Sequence, residues 1–259
     1  MNEGAPRFTD AAAWFAAGNT DERFTTLSLE NLLAELSATG RSPLAVYMES
    51  PPFSTQPIRT DSKGRLDRSF EHFTAAAIPA IRLNDLMESL ASARQRDRFR
   101  EEGSRFGAVL IRGSSMPDEG LPAVADGVLL FITKGTATPG WVYRVAKILS
   151  DRGSTLPVCI VVVNADHLEE AAVVFQEVKD EVTSLMRKDV RFSFGGFLKF
   201  DSDYTNSALD AKRPLIQHFP GSPFHGQIKY VVKALSRVVP LPPQESFLER
   251  MASLAESSR

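Results

Sequence analysis

The sequence predicts an α/β domain, doubly wound, with a mostly parallel sheet and helices on both faces. Three observations carry this prediction. Apolar runs of strand length, at 127–133 and 158–163, have no alternating polar side, as expected of strands covered on both faces. Helix-length stretches with apolar residues three and four apart, at 139–149 and 168–186, lie between and after them. Their order, strand then helix then strand, is the crossover that parallel neighbours require.

Residues 11–17 read as a first strand, although alanine is a weak strand former. Leu29, Leu32, Leu33 and Leu36 then recur at helical spacing, and the run stops at Gly40, a natural helix end. A strand at 44–48 leads into Pro51-Pro52. The polar stretch 54–68 reads as an exposed loop. A helix over 83–102 places Leu83, Leu86, Met87 and Leu90 on one face, and its arginine- and glutamate-rich end, 94–105, reads as a solvated surface. Strands at 108–111 and 194–200 and a helix at 224–238 complete the alternation. Pro240, Pro242 and Pro243 set off a terminal segment, 246–257, with Phe247, Leu248, Met251 and Leu254 in an apolar stripe. The expected organisation is one domain over 1–239, followed by a proline-rich linker and a short amphipathic helix over 240–259.

Composition narrows the function. With 259 residues, 28.5 kDa and 43% hydrophobic residues, the chain can bury a full core. A net charge of −2 and a pI near 6.1 give no bulk attraction to nucleic acid, so no nucleic-acid partner is expected. The one cysteine, Cys159, lies inside an apolar run and cannot form an intrachain disulfide, which suits a reducing cytoplasm. No apolar stretch approaches the ~20 residues that span a bilayer, and the first residues lack signal-peptide character. His72, His167, His218 and His225 show no metal-ligand spacing, so no metal site is expected. Ser114-Ser115 lacks the G-x-S-x-G turn of a hydrolase nucleophile.

The sharpest feature is the segment from Gly18 to Thr26, between the first strand and the first helix, where an α/β nucleotide-binding domain keeps its phosphate loop. Such a loop uses glycines so that backbone N–H groups can wrap phosphates, a lysine to neutralise them and a hydroxyl to hold magnesium. Later pieces fit the same pattern: Ala125-Asp126-Gly127-Val128-Leu129-Leu130 at a strand entry, Val161-Val162-Val163-Asn164 at a strand end, Gly196-Phe197-Leu198-Lys199-Phe200-Asp201 at a turn, and the spaced prolines from Ala208 to Pro223. In this order the chain resembles the MinD/ParA family of P-loop ATPases over nearly its whole length. Its C-terminal half is most similar to FlhG-type regulators of flagellar number and placement.

Against the family's G-K-G-G-V-G-K-T-T, the chain keeps Gly18, Thr25 and Thr26. Asn19 stands at the lysine that reaches across a dimer, and Phe24 stands at the main phosphate lysine. Thr20, Asp21 and Arg23 replace glycines, and the carboxylates of Asp21 and Glu22 repel phosphate. The family's D-x-D falls on Met48-Glu49-Ser50, and its D-T-P on Arg112-Gly113-Ser114. With both the lysine and the metal carboxylates missing, nothing would stabilise a phosphoryl-transfer transition state. The resemblance therefore implies a pseudo-ATPase that is not an enzyme and has no cofactor. Asn164 and Asp201 fall near the family's adenine pocket and are the candidates for residual base contacts, although an asparagine closing a buried strand more simply satisfies local backbone. Arg112, with Asp21, Glu22 or Glu49, is a candidate salt-bridged plug of the vacated pocket.

The expected function is an adaptor or regulator working through protein contacts, in positioning or assembly of a flagellum, pilus or cellulose exporter, or in cell division. The expected partner is a protein, an active MinD/ParA paralogue or a second copy. Localisation is expected to be cytoplasmic, with recruitment to the inner membrane or pole by that partner. Membrane contact through 246–257 should be weak, because Glu249 and Glu256 offset its cations. The rival expectation is an atypical ATPase whose phosphate lysine is displaced to Lys134 or Lys199.

Overall fold

A computed structural model describes residues 12–20, 22–47, 72–73, 78–91, 106–113, 124–135, 138–151, 156–187, 190–211, 213–238 and 247–257. Its strands are β1 (Ala12–Gly18), β2 (Pro43–Tyr47), β3 (His72–Phe73), β4 (Pro79–Arg82), β5 (Ala108–Arg112), β6 (Gly127–Ile132), β7 (Val158–Val163) and β8 (Phe192–Leu198). Its helices are α1 (Glu22–Ala38), α2 (Leu83–Ala91), α3 (Thr138–Asp151), α4 (Leu168–Leu185), α5 (Ser202–Asp210), α6 (Leu215–His218), α7 (Pro223–Arg237) and α8 (Phe247–Ser257).

The strands form one sheet in the order β3-β4-β2-β5-β1-β6-β7-β8. Seven are parallel, and β3 joins antiparallel to β4 at one edge. β1 lies between β5 and β6, with Ala16 beside Arg112 on one side and Leu129 on the other. Its alanines are tolerated because the strand is flanked on both sides and faces helices above and below, so β-propensity yields to tertiary packing.

Two apolar layers flank the sheet. Phe15, Val46, Val128 and Ile160 point into the layer closed by α2, α3, α4 and α8, whose contributions include Leu86, Trp141, Val174 and Met251. Trp14, Ala45, Leu129 and Val161 point into the other, closed by α1 and by α5 to α7, with Leu32, Ala208, Leu215 and Ile228. No helix among the described residues is long and apolar enough to cross a membrane.

Some elements differ from expectation. The short strands β3 and β4 were not predicted; β4 reads Pro-Ala-Ile-Arg, too brief to give a pattern. Nor were α5 and α6, since α5 is polar and buries only Thr205 and Ala208. The last strand begins two residues earlier than predicted and ends at Leu198, with a register shift against Ile160 and Val161. There Gly196 adopts φ 108°, and a Cβ would come within 2.7 Å of Tyr230 Cδ1. The helix predicted over 83–102 is seen to residue 91; 92–105, the loop 54–68 and the linker 240–246 lie outside the described residues.

The terminal helix α8 packs on its own domain. Phe247, Met251, Ala252 and Ala255 are buried. Arg250 donates from Nη2 to Asp126 Oδ1 at 2.7 Å and from Nε to the Val124 carbonyl at 2.9 Å. The other Asp126 oxygen accepts the Ala13 amide at 2.8 Å. Phe247, Met251 and Leu254 of the stripe seen in the sequence therefore pack inward, onto the layer that contains Phe15.

Candidate functional site

The site lies where β1, β5, β6, β7 and β8 end, the edge at which open α/β sheets hold ligands. Gly18 closes β1 in a position where a Cβ would collide with Thr25 Oγ1 and lie 3.2 Å from the Phe131 carbonyl, so α1 begins hard against the sheet. Asn19 is tied on three sides. Its amide donates to the Phe131 carbonyl (3.1 Å), its Oδ1 accepts the Thr133 amide (3.2 Å) and its Nδ2 donates to Thr138 Oγ1 (2.9 Å). Thr138 Oγ1 in turn donates to the Thr133 carbonyl at 2.7 Å. Thr20 and Thr25 share a hydrogen bond between hydroxyls at 3.0 Å, and Thr25 and Thr26 are buried in the first turns of α1.

Phe24 is half-buried and turned toward the end of β8. Its ring centroid lies 5.0 Å from that of Phe200, which lies 4.9 Å from that of Phe224. Tilted rings at such separations gain about 0.5–1.5 kcal/mol per pair beyond the area buried. Three residues distant in sequence thus form one aromatic row from α1 to the N-terminus of α7. Beyond Phe224 lies a cavity of about 210 Å³, lined by Lys199, Asp201, Tyr204, Leu215, Ser222, Pro223, Phe224 and Gln227.

Both lysines considered as displaced phosphate ligands sit beside carboxylates. Lys199 Nζ is 2.7 Å from Asp166 Oδ1, which raises the lysine pKa and lowers that of Asp166. Lys134 Nζ is 3.5 Å from Glu170 Oε1. The Glu170 carboxyl is held low, first by accepting the Asp166 amide and then by Lys134. Both pairs are exposed, so they contribute little to stability, but they set the charge of the edge.

Asn164 adopts φ 61°, a left-handed conformation that asparagine tolerates. Its amide donates to the Leu198 carbonyl at 2.7 Å, and its Oδ1 lies 3.4 Å from the Phe200 amide. Asp201 caps α5, with Oδ1 accepting the amides of Asp203 (3.0 Å) and Tyr204 (3.2 Å). Both candidate base contacts have structural work at the turn after β8.

Arg112 ends β5 beside Ala16 of β1 and Tyr47 of β2. The Tyr47 hydroxyl donates to Glu30 Oε1 at 2.8 Å. Its pKa is raised well above the ordinary value, by burial first and by Glu30 second, with Arg112 pulling the other way. A buried tyrosine, a buried carboxylate and a cation therefore meet at this end of β2 and β5. The partners proposed for Arg112 in the plug, Asp21, Glu49 and the Glu22 side chain, lie outside the described residues, as does Met48 to Ser50.

Sequence reasoning missed the polar side chains on the inner face of α1. Asn31 accepts the Ile216 amide at 2.9 Å, and Glu35 Oε2 lies 2.8 Å from His225 Nε2, whose Nδ1 lies 2.7 Å from the Pro220 carbonyl. Both ring nitrogens thus face oxygens, which ties the start of α7 to α1. The available signal was Glu30, Asn31 and Glu35 interrupting a leucine-rich stripe. Among the described residues, no group of three or more His, Cys, Asp or Glu is placed to hold a metal ion.

No protein-family model matches the sequence, and no curated protein matches it. Solved structures do. A chain of the MinC:MinD cell division protein complex of Aquifex aeolicus superposes with a TM-score of 0.61 at 12% identity, over 91% of this chain and 100% of that one. The domain has a MinD/ParA-type fold. A ParA family ATPase from Chlorobium tepidum gives 0.61 at 14% identity over 89% and 99% of the two chains. The septum site-determining protein MinD of Pyrococcus horikoshii, solved with Mg-ADP, gives 0.59 at 12% identity over 90% and 99%. At these identities the likeness establishes the MinD/ParA fold, and the loop chemistry must be read from this chain's own residues.

Proposed function

We propose that this chain is a non-catalytic protein of MinD/ParA fold that acts as an adaptor or regulator through protein–protein contact. The observation that carries the reading is Phe24. Where the fold's ATPases need a cation against phosphate, this chain has an aromatic side chain engaged with Phe200 and Phe224. The neighbouring Asn19 supports it, because both its side-chain polar atoms are already used within the protein. The residues present thus do not fit a magnesium nucleotide: Phe24 offers no charge, and Lys134 and Lys199 are neutralised by Glu170 and Asp166.

The solved relatives include a MinD protein in complex with MinC, and a protein partner is proposed here by analogy of fold. A process such as placement of a surface or secretion machine, or cell division, and recruitment to the membrane or pole by that partner, belong to the same reading. Calorimetric titration of the purified chain with ATP or ADP and magnesium tests it. No heat of binding up to millimolar nucleotide is expected. Micromolar binding abolished by Lys134→Ala or Lys199→Ala would establish the displaced-lysine ATPase instead.

A further inference from the structure

The β8 edge, last in the described sheet, is bordered by two helices of opposite charge. On α4, Glu169, Glu177 and Glu181 recur at steps of four or eight residues and are exposed, and the same row carries Val173 and Leu185, 57% and 55% exposed. On α7, Lys229, Lys233 and Arg237 recur every four residues and are exposed. Among the described residues, neither Glu177 and Glu181 nor these three cations has an ion-pair partner. Large apolar side chains left in water within a charged row are the composition of a contact surface rather than of a solvated helix.

The two helices lie on opposite faces of the sheet, since α4 closes the layer that contains Phe15 and α7 the layer that contains Trp14. Both also pack against β8. Phe175 of α4 stacks on Phe194 at 5.3 Å, and Tyr230 of α7, still 44% exposed, lies over Gly196. Among the described residues, β8 has a neighbouring strand on one side only, β7.

From this arrangement we infer that the β8 edge is an interface with a second copy of this chain. The symmetry argument is direct. A two-fold axis parallel to β8 exchanges the two faces of the sheet, so it sets the acidic α4 of one copy beside the basic α7 of the other, twice in the same dimer. A self-complementary surface of this kind closes on itself and yields a defined dimer rather than an open chain. The equal four-residue spacing of the two rows lets several glutamates meet several cations in one register, with Val173, Leu185 and Tyr230 supplying apolar contact. The charged rows use Lys229, Lys233 and Arg237, beyond the first turn of α7 where Phe224 ends the Phe24 row, so the changes that test the dimer leave the residues of the proposed function in place.

Sedimentation equilibrium of the full chain tests this. The wild type should be a dimer at about 0.1 M salt and dissociate toward about 1 M, as the screening length falls from about 10 Å to about 3 Å. Lys233→Glu with Arg237→Glu should weaken self-association by about 100-fold or more, and so should Glu177→Lys with Glu181→Lys, because each places like charges together. Mixed in equal amounts, the two reversed proteins should form a one-to-one heterodimer, since each then offers the charge the other lacks. Circular dichroism confirms that both remain folded. The inference is overturned if the wild type is monomeric at low salt, if the reversed proteins dimerise as the wild type does, or if their mixture fails to pair. None of these changes touches the Phe24 row, so nucleotide titration of the same proteins reports separately on the proposed function.

Discussion

Replacing Arg250 with alanine should cost the domain about 3–5 kcal/mol, a magnitude that follows from what the guanidinium leaves behind. Its partner carboxylate on Asp126 is 4% exposed, and Arg250 itself is 16% exposed, so water cannot easily replace the lost donor. One Asp126 oxygen keeps the Ala13 amide, while the other loses its 2.7 Å bond, and the Val124 carbonyl loses a donor at 2.9 Å. Burial already raises the Asp126 pKa against the opposing pull of the Ala13 amide and Arg250, and removing Arg250 should raise it further. A carboxyl whose folded pKa is raised binds its proton more tightly in the native state. Its burden is therefore largest above the folded pKa and shrinks as pH falls toward the unfolded value. The loss should thus be greatest near neutral pH and smaller near pH 5. Urea unfolding at the two pH values measures it, with a Tm decrease of about 10 °C as the thermal counterpart at neutral pH. Asp126→Asn in the Arg250→Ala background should recover part of the loss by removing the buried charge. A cost below about 1 kcal/mol, or one that does not change with pH, would refute the account of Arg250 as the neutraliser of a buried carboxylate.

Phe24→Ala should destabilise by about 2–4 kcal/mol, the range for a half-buried aromatic with a ring partner, and should create no nucleotide binding; equilibrium unfolding with and without magnesium ATP checks both. Gly196→Ala should cost about 2 kcal/mol or more, because the residue sits at φ 108° with Tyr230 in the way, and a Tyr230→Ala background should relieve only the steric part. The Cys159 thiol, pushed up to about 12 by burial, should resist a thiol reagent at pH 8 until the protein unfolds. Because the unfolded thiol ionises near about 8.5 while the folded one does not, stability should also fall as pH rises from there toward 12.

The parallel core was legible because Gly127–Ile132 and Val158–Val163 are unbroken apolar runs buried on both faces, which no amphipathic element would produce. Helix α4 was legible from its 3.6-residue periodicity, and its buried residues Ala171, Val174, Phe175, Val178 and Val182 are that pattern. The site was only half legible. Phe24 in place of a cation can be read from sequence, but its engagement with Phe200 and Phe224 depends on bringing together a helix start, a strand end and another helix start. The same holds for Glu35 with His225 and Asp126 with Arg250. In each case a polar residue acquires its meaning from a partner more than a hundred positions away, and local pattern holds no information at that range.

The placement of β1 has a consequence for how the chain is made. Ala12–Gly18 precedes every other described strand in the chain, yet its neighbours are β5 and β6, and about 90 residues separate it from Ala108. At ~5–20 residues per second, a ribosome takes roughly 5–20 s to deliver the first flank and longer to deliver the second. For that interval the sequence Ala-Trp-Phe-Ala-Ala has no sheet to enter, and β2 cannot screen it because β5 must come between them. The middle of the sheet is therefore closed late, and until then Trp14 and Phe15, both buried in the folded domain, have no apolar layer to enter.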